Sequence, residues 1–110
     1  MDANLMMINS RFGLARAKCE LRNIVIIDAR DYNGHRIGLP CMRFEGGIDE
    51  MIKTADRIRS EYKMSGIQSK TYAVDGGGKV FVISPNGLHV SELGTRDAAY
   101  TLGDLSARVD

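Results

Sequence analysis

Four side chains suited to binding lie close together in the first half of the chain: Arg30, Tyr32, His35 and Arg43. Guanidinium donors fit the oxygens of carboxylates and phosphates in pairs. With a phenol and an imidazole beside them, they make a surface for a phosphate, a nucleotide or an acidic protein face. All four share one face of a hairpin if Asn33-Gly34 closes it with a two-residue loop, because side chains alternate along a strand. The plainer reading is that Tyr32 and His35 stack across the strands at an exposed hairpin end.

Catalytic chemistry has less to draw on. His35 and Cys41 stand six residues apart on the same run, about 20 Å along an extended chain and too far for a hydrogen bond. His89, on a later run, is the other base within reach of Cys41. Asp28 shares a face with Ile24 and Ile26, so it is expected to be partly buried and paired with Arg30, Arg36 or Arg43. Asp31 and Glu45 are the other carboxylates near this hairpin. Cys19, Cys41, His35 and His89 show neither C-x₂-C nor H-x₃-H spacing, so no metal and no cofactor is expected. A Cys19–Cys41 disulfide is left open, since sequence does not fix their distance.

Two glycine clusters invite a phosphate-loop reading. Gly76-Gly77-Gly78-Lys79 follows Asp75 and joins two strand patterns with no helix behind it, so it reads as a hairpin tip. Gly46-Gly47 precedes a helix start, but Asp49 and Glu50 would repel an anion there, so it reads as a turn and cap. There is no G-x-G-x-x-G and no Walker lysine.

These residues need elements to position them. The clearest is a helix over Ile48 to Met64, with Ile48, Met51, Ile52, Ala55, Ile58 and Tyr62 as its apolar stripe. Asp49 and Glu50 suit its first turn, and Gly66 stands where a left-handed cap would end it. Lys53, Asp56, Arg57, Ser60 and Glu61 form its wet face. Before it, Asn23 to Tyr32 and His35 to Phe44 read as a hairpin. In the two-residue register Tyr32 faces His35 and Asp31 faces Arg36. Pro40 lacks a ladder donor, which places the return strand at an edge or a bulge. After the helix, Ser69 to Val74 and Lys79 to Ser84 flank Asp75-Gly76-Gly77-Gly78. Pro85-Asn86-Gly87 turns the chain again into a strand over Leu88 to Leu93. Thr95 suits the cap of a last helix bearing Ala98, Ala99, Leu102, Leu105 and Val109, weakened by Gly103. Phe12 to Leu21 alternates apolar and charged residues and is taken as a strand. Met42, Met51 and Met64 are expected to fill core gaps, whereas Met6 and Met7 suit an adaptable surface.

The fold expected is α+β: a mostly antiparallel sheet of five or six strands, a central amphipathic helix packed on one face, and a short C-terminal helix. Residues 1–110 are taken as one domain, a usual size for a single core. Fifteen basic and fourteen acidic residues leave a formal charge of +1, which argues against a dedicated nucleic-acid or membrane-surface binder. The charge is uneven, with seven basic and four acidic residues in 1–44 against eight and ten in 45–110. No run reaches the 18 or so apolar residues of a membrane helix, the N-terminus lacks a secretory pattern, and cysteine is scarce. A cytoplasmic location is expected.

The leading functional expectation is a small non-enzymatic interaction protein. It would act through a sheet edge or the Arg-rich face of the first hairpin, paired with itself as a homodimer or with another protein. Accessory proteins of mobile elements or phages have this character. The alternative is binding of an anionic ligand, a nucleotide or nucleic acid, through the Arg-rich N-terminal half. A second alternative is a small-molecule enzyme of unknown reaction, with His35, Cys41, Asp28 or His89 in a cleft.

Overall fold

Ile24-Val25-Ile26-Ile27 is apolar at every position, and a strand of that kind must be covered on both faces. In the computed structural model, which describes residues 6–8, 22–87 and 89–107, all four are fully buried. They open β2 (Ile24–Arg30), the middle of the sheet. The other strands are β1 (Met6–Ile8), β3 (Arg36–Gly38), β4 (Cys41–Arg43), β5 (Gln68–Val74), β6 (Val80–Ile83) and β7 (Val90–Glu92). Six of them run in the order β1-β4-β2-β5-β6-β7, every neighbour antiparallel, and the short β3 adds a further pairing beside β2. With two helices, this is the α+β architecture expected.

Helix α1 (Ile48–Met64) has the predicted bounds. It lays Met51, Ala55 and Ile58 on Val25, Ile27, Ala29, Ala73 and Ile83, with Ile48, Ile52 and Tyr62 at the margin. Burial of each large side chain contributes roughly 1.5–3 kcal/mol. Its C-terminus closes as a Schellman motif: Ile67 N–H donates to the Tyr62 carbonyl at 2.9 Å and Gly66 N–H to that of Lys63 at 3.0 Å. Gly66 takes the left-handed conformation this requires, at φ +81°. Helix α2 (Thr95–Ala107) serves the opposite face, where Ala98 and Leu105 join Ile24, Ile26, Cys41, Tyr72, Val74 and Val80.

The first hairpin departs from the expected register at its tip. Asp31 N–H donates to the His35 carbonyl at 2.9 Å while the Asp31 carbonyl accepts Gly34 N–H at 3.0 Å, and Arg30 rather than Tyr32 begins the paired rows, opposite Arg36. The loop therefore holds Tyr32, Asn33 and Gly34, and only Gly34 has positive φ, at +82°. Its geometry follows from Asp31, whose Oδ1 accepts the N–H groups of Asn33 at 2.9 Å and His35 at 2.8 Å. That carboxylate stabilises a type I turn followed by a left-handed glycine, and the two-residue loop loses. The register shifts by one between Ala29 and Arg30, with Ile37 as the extra residue of β3. This bulge restores the expected pairing further on, so Ile26 faces Cys41 and Ile24 faces Arg43. Between β3 and β4, Pro40 accepts from Ile27 N–H at 2.9 Å but has no N–H to return, and the strand is interrupted there.

The second hairpin repeats the same loop. Asp75 Oδ1 accepts Gly77 N–H at 2.9 Å and Lys79 N–H at 2.8 Å, and Gly78 has φ +86°. Both tips thus read Asp-x-x-Gly. Elsewhere the expectations need smaller corrections. Met64 is 85% exposed and fills no core gap, because it lies past the last stripe position of α1. Thr95 is the first residue of α2, and Gly94 supplies the first capping carbonyl, to Ala98 N–H at 2.8 Å. Ala99 is exposed, since the buried line of α2 follows Ala98 and Leu105. The last strand is shorter than Leu88 to Leu93. The expected strand over Phe12 to Leu21, with Cys19, and the position of Val109 lie outside the described residues.

Candidate functional site

The two pairing regimes of β2 decide where the four candidate residues go. Arg30 sits at its C-terminal end and Arg43 opposite Ile24 at its start. They share a face, yet six residues of strand separate them, about 20 Å. The structure does not bring Arg43 to the other three.

At the hairpin end, Arg30 is committed to the fold. Its Nη1 donates to the Gly34 carbonyl at 3.1 Å and its Nη2 lies 3.4 Å from Asp28 Oδ2. Arg36 approaches the other oxygen of Asp28 at 3.5 Å. Asp28 is buried, as expected, and takes up two of the three arginines named for it. The bulge at Ile37 is what places Arg36 opposite Arg30, where the unshifted register would put Ile37. His35 is exposed, with Nδ1 3.4 Å from Asp31 Oδ2. Tyr32 leaves the arginine face altogether, its ring lying near Gly66 at the end of α1.

Arg43 belongs to a different place. At the end of the sheet where β2 begins and β4 and β5 end, Arg22, Asn23, Arg43, Phe44, Glu45, Gly46 and Gly76 surround an open cleft of about 670 Å³. Local chain chemistry builds it. Asn23 adopts a left-handed conformation, φ 53°, which asparagine tolerates better than other side chains. Its carbonyl accepts Phe44 N–H at 2.9 Å and its N–H reaches the Asp75 carbonyl at 3.4 Å, so the β5–β6 tip is tied alongside. Gly46 passes so close to the Phe44 ring that a Cβ there would overlap it.

The charges in this cleft are uncommitted among the described residues. Arg22, Arg43 and Glu45 are exposed, and among the described residues none of the three takes part in an ion pair. Among the described residues, the cleft thus carries two guanidiniums without an ion pair beside one carboxylate. Register places one of this pair and the turn at Asn23 the other. Ile24 faces Arg43, and Arg22 stands two positions before Ile24, across the left-handed residue Asn23, where it lines the same cleft as Arg43.

The remaining candidates do not converge. Cys41 is a free, fully buried thiol, pushed above its ordinary pKa by burial, with Arg43 acting weakly in the opposite direction. His35 and His89 are both exposed. Among the described residues no three of His, Cys, Asp and Glu are placed to hold a metal ion. A second depression of about 420 Å³ lies between the β5–β6 tip and the start of α2, where Lys79 faces Glu92 at 3.9 Å. No described helix is long and apolar enough to cross a membrane. Comparison with family models, with curated proteins and with solved structures gives no match to any of them.

Proposed function

We propose that this protein is a small binding module whose cleft, flanked by Arg22 and Arg43, takes an anionic ligand. The observation that carries the reading is the pair of exposed guanidiniums, free of ion-pair partners among the described residues, on one open cleft. Arginine left unpaired by its own fold retains its fork of donors for phosphate or carboxylate oxygens. Arg30 and Arg36 offer less, because Asp28 already occupies them.

The sheet-edge reading has weaker support. The two edge strands, β1 and β7, are three residues long each and β7 carries Glu92, while β3 is interrupted by a bulge and followed by Pro40. Such features guard an edge against pairing. An enzyme built on Cys41 also lacks support, since its thiol is buried away from both described histidines.

Titration of the full chain with inorganic pyrophosphate, followed by backbone amide shifts, tests the proposal. Shifts should centre on residues 22, 23, 43–46 and 76. Arg22→Ala and Arg43→Ala should each weaken binding about tenfold, the scale of one charged hydrogen-bonded contact. Affinity should fall with added salt. Unchanged binding in the double variant would remove the cleft from the function.

A further inference from the structure

Resting on that reading, we infer that the ligand is a single nucleotide, its phosphate on Arg22 and Arg43 and its base between Phe44 and Glu45. Three features of the cleft select this class. The first is size: at about 670 Å³ the cleft falls in the range of pockets for whole small molecules, roughly 300–1,000 Å³, and far exceeds one phosphate group. The second is Phe44, which lines the cleft half-buried, its ring held by the core cluster under α1 and by the close passage of Gly46. An aromatic ring beside a phosphate-binding pair is the arrangement that stacks a base, since every base presents a π face. The third is Glu45. An ionised carboxylate only accepts hydrogen bonds, so it works against a bare anion and favours a ligand that also carries donors. The edge of a nucleobase supplies N–H groups to such an acceptor.

Glu45 also separates a mononucleotide from a nucleic-acid strand. A strand needs a run of uncommitted cations to follow its backbone. Here the cationic pair shares its cleft with Glu45, the chain runs on from Gly46 and Gly47 into a first turn of α1 that carries Asp49 and Glu50, and the chain as a whole carries only +1. The cleft accommodates one phosphate-bearing end and then turns acidic.

The test compares ribose 5-phosphate, the four nucleoside 5′-monophosphates and a twelve-nucleotide single strand, titrated against the full chain and followed by amide shifts. At least one nucleotide should bind about tenfold or more tightly than ribose 5-phosphate, the scale of one base stacking on an aromatic ring. Phe44→Leu should erase that advantage and leave ribose 5-phosphate binding in place. Glu45→Ala should weaken the nucleotide yet strengthen ribose 5-phosphate, a pair of opposite changes that mere loss of structure does not produce. Equal binding of ribose 5-phosphate and every nucleotide overturns this inference and leaves the anion reading standing. Absence of binding by both overturns the two together. Tighter binding of the single strand, with a salt dependence of several phosphates, overturns the mononucleotide in favour of nucleic acid.

Discussion

Gly87→Ala should destabilise the protein more than any other glycine substitution in a turn. Gly87 closes the Ser84–Gly87 turn, where its N–H donates to the Ser84 carbonyl at 2.9 Å. Its φ of +70° lies in the left-handed region, which costs an L-residue about 1–2 kcal/mol. A methyl group at this position would also overlap the guanidinium of Arg59. That guanidinium cannot easily move, because Arg59 is 8% exposed, with Nε 2.9 Å from Asp56 Oδ1 and Nη1 donating to the Pro85 carbonyl at 3.0 Å. Displacing it breaks a buried charged contact, a further loss of about 1–3 kcal/mol. The expected total is roughly 2–5 kcal/mol, and a midpoint shift of about 8 °C or more follows for a domain of this size. Gly78→Ala is the control. Gly78 has φ +86° with no atom near its missing Cβ, so it should lose only the left-handed term. Both substitutions equally reduce the freedom of the unfolded chain, and that effect cancels between them. Urea unfolding followed by circular dichroism measures each. In an Arg59→Ala background the excess cost of Gly87→Ala should vanish. Equal losses for the two glycine variants in the unmodified chain would refute the steric argument.

Two further predictions concern the hairpin tips and the buried thiol. Asp31→Ala and Asp75→Ala each leave two backbone N–H groups without their carboxylate acceptor, so each should cost about 1–2 kcal/mol in urea unfolding, with the Asn variants losing less. Cys41 should resist alkylation by iodoacetamide until the chain unfolds, the rate tracking denaturant concentration. Its thiol stays protonated in the fold to higher pH than in the unfolded chain, so it contributes stability below the ordinary thiol pKa of 9.0 that is lost as pH rises through the raised value; a Cys41→Ser variant should lack that component of the alkaline decline, checked by unfolding at pH 7 and pH 10.

Where local physics and tertiary physics agreed, the fold was legible. The stripe from Ile48 to Tyr62 and the cap at Gly66 define α1 without knowledge of what it covers. The apolar run at Ile24 required cover on both sides. The first hairpin misled because Asn-Gly suggests a two-residue loop, while Asp31 binds two N–H groups of a longer one. The signal was present: Asp-x-x-Gly occurs at both tips, and one carboxylate outcompetes the asparagine. Arg59 was illegible for another reason. It falls beside the stripe, at the i+4 position from Ala55, but burial of a guanidinium depends on a carbonyl from Pro85, 26 residues away.

The same distinction separates the arginines of the N-terminal half. Arg30 and Arg36 converge on buried Asp28, and their charge is spent holding the tip of a bulged hairpin. Arg22 and Arg43 stand at the other end of β2, where the register returns to normal and no described carboxylate closes on them. An arginine count treats all four alike, and a face assignment groups Arg30 with Arg43. Pairing rows separate them, because the distance along β2 outweighs a shared face. The buried acid in the row then decides which cations the fold consumes. The proposal that Arg22 and Arg43 serve a ligand rests on that allocation: removing Asp28 should loosen the hairpin and leave the cleft's anion affinity unchanged, whereas removing Arg43 should do the reverse.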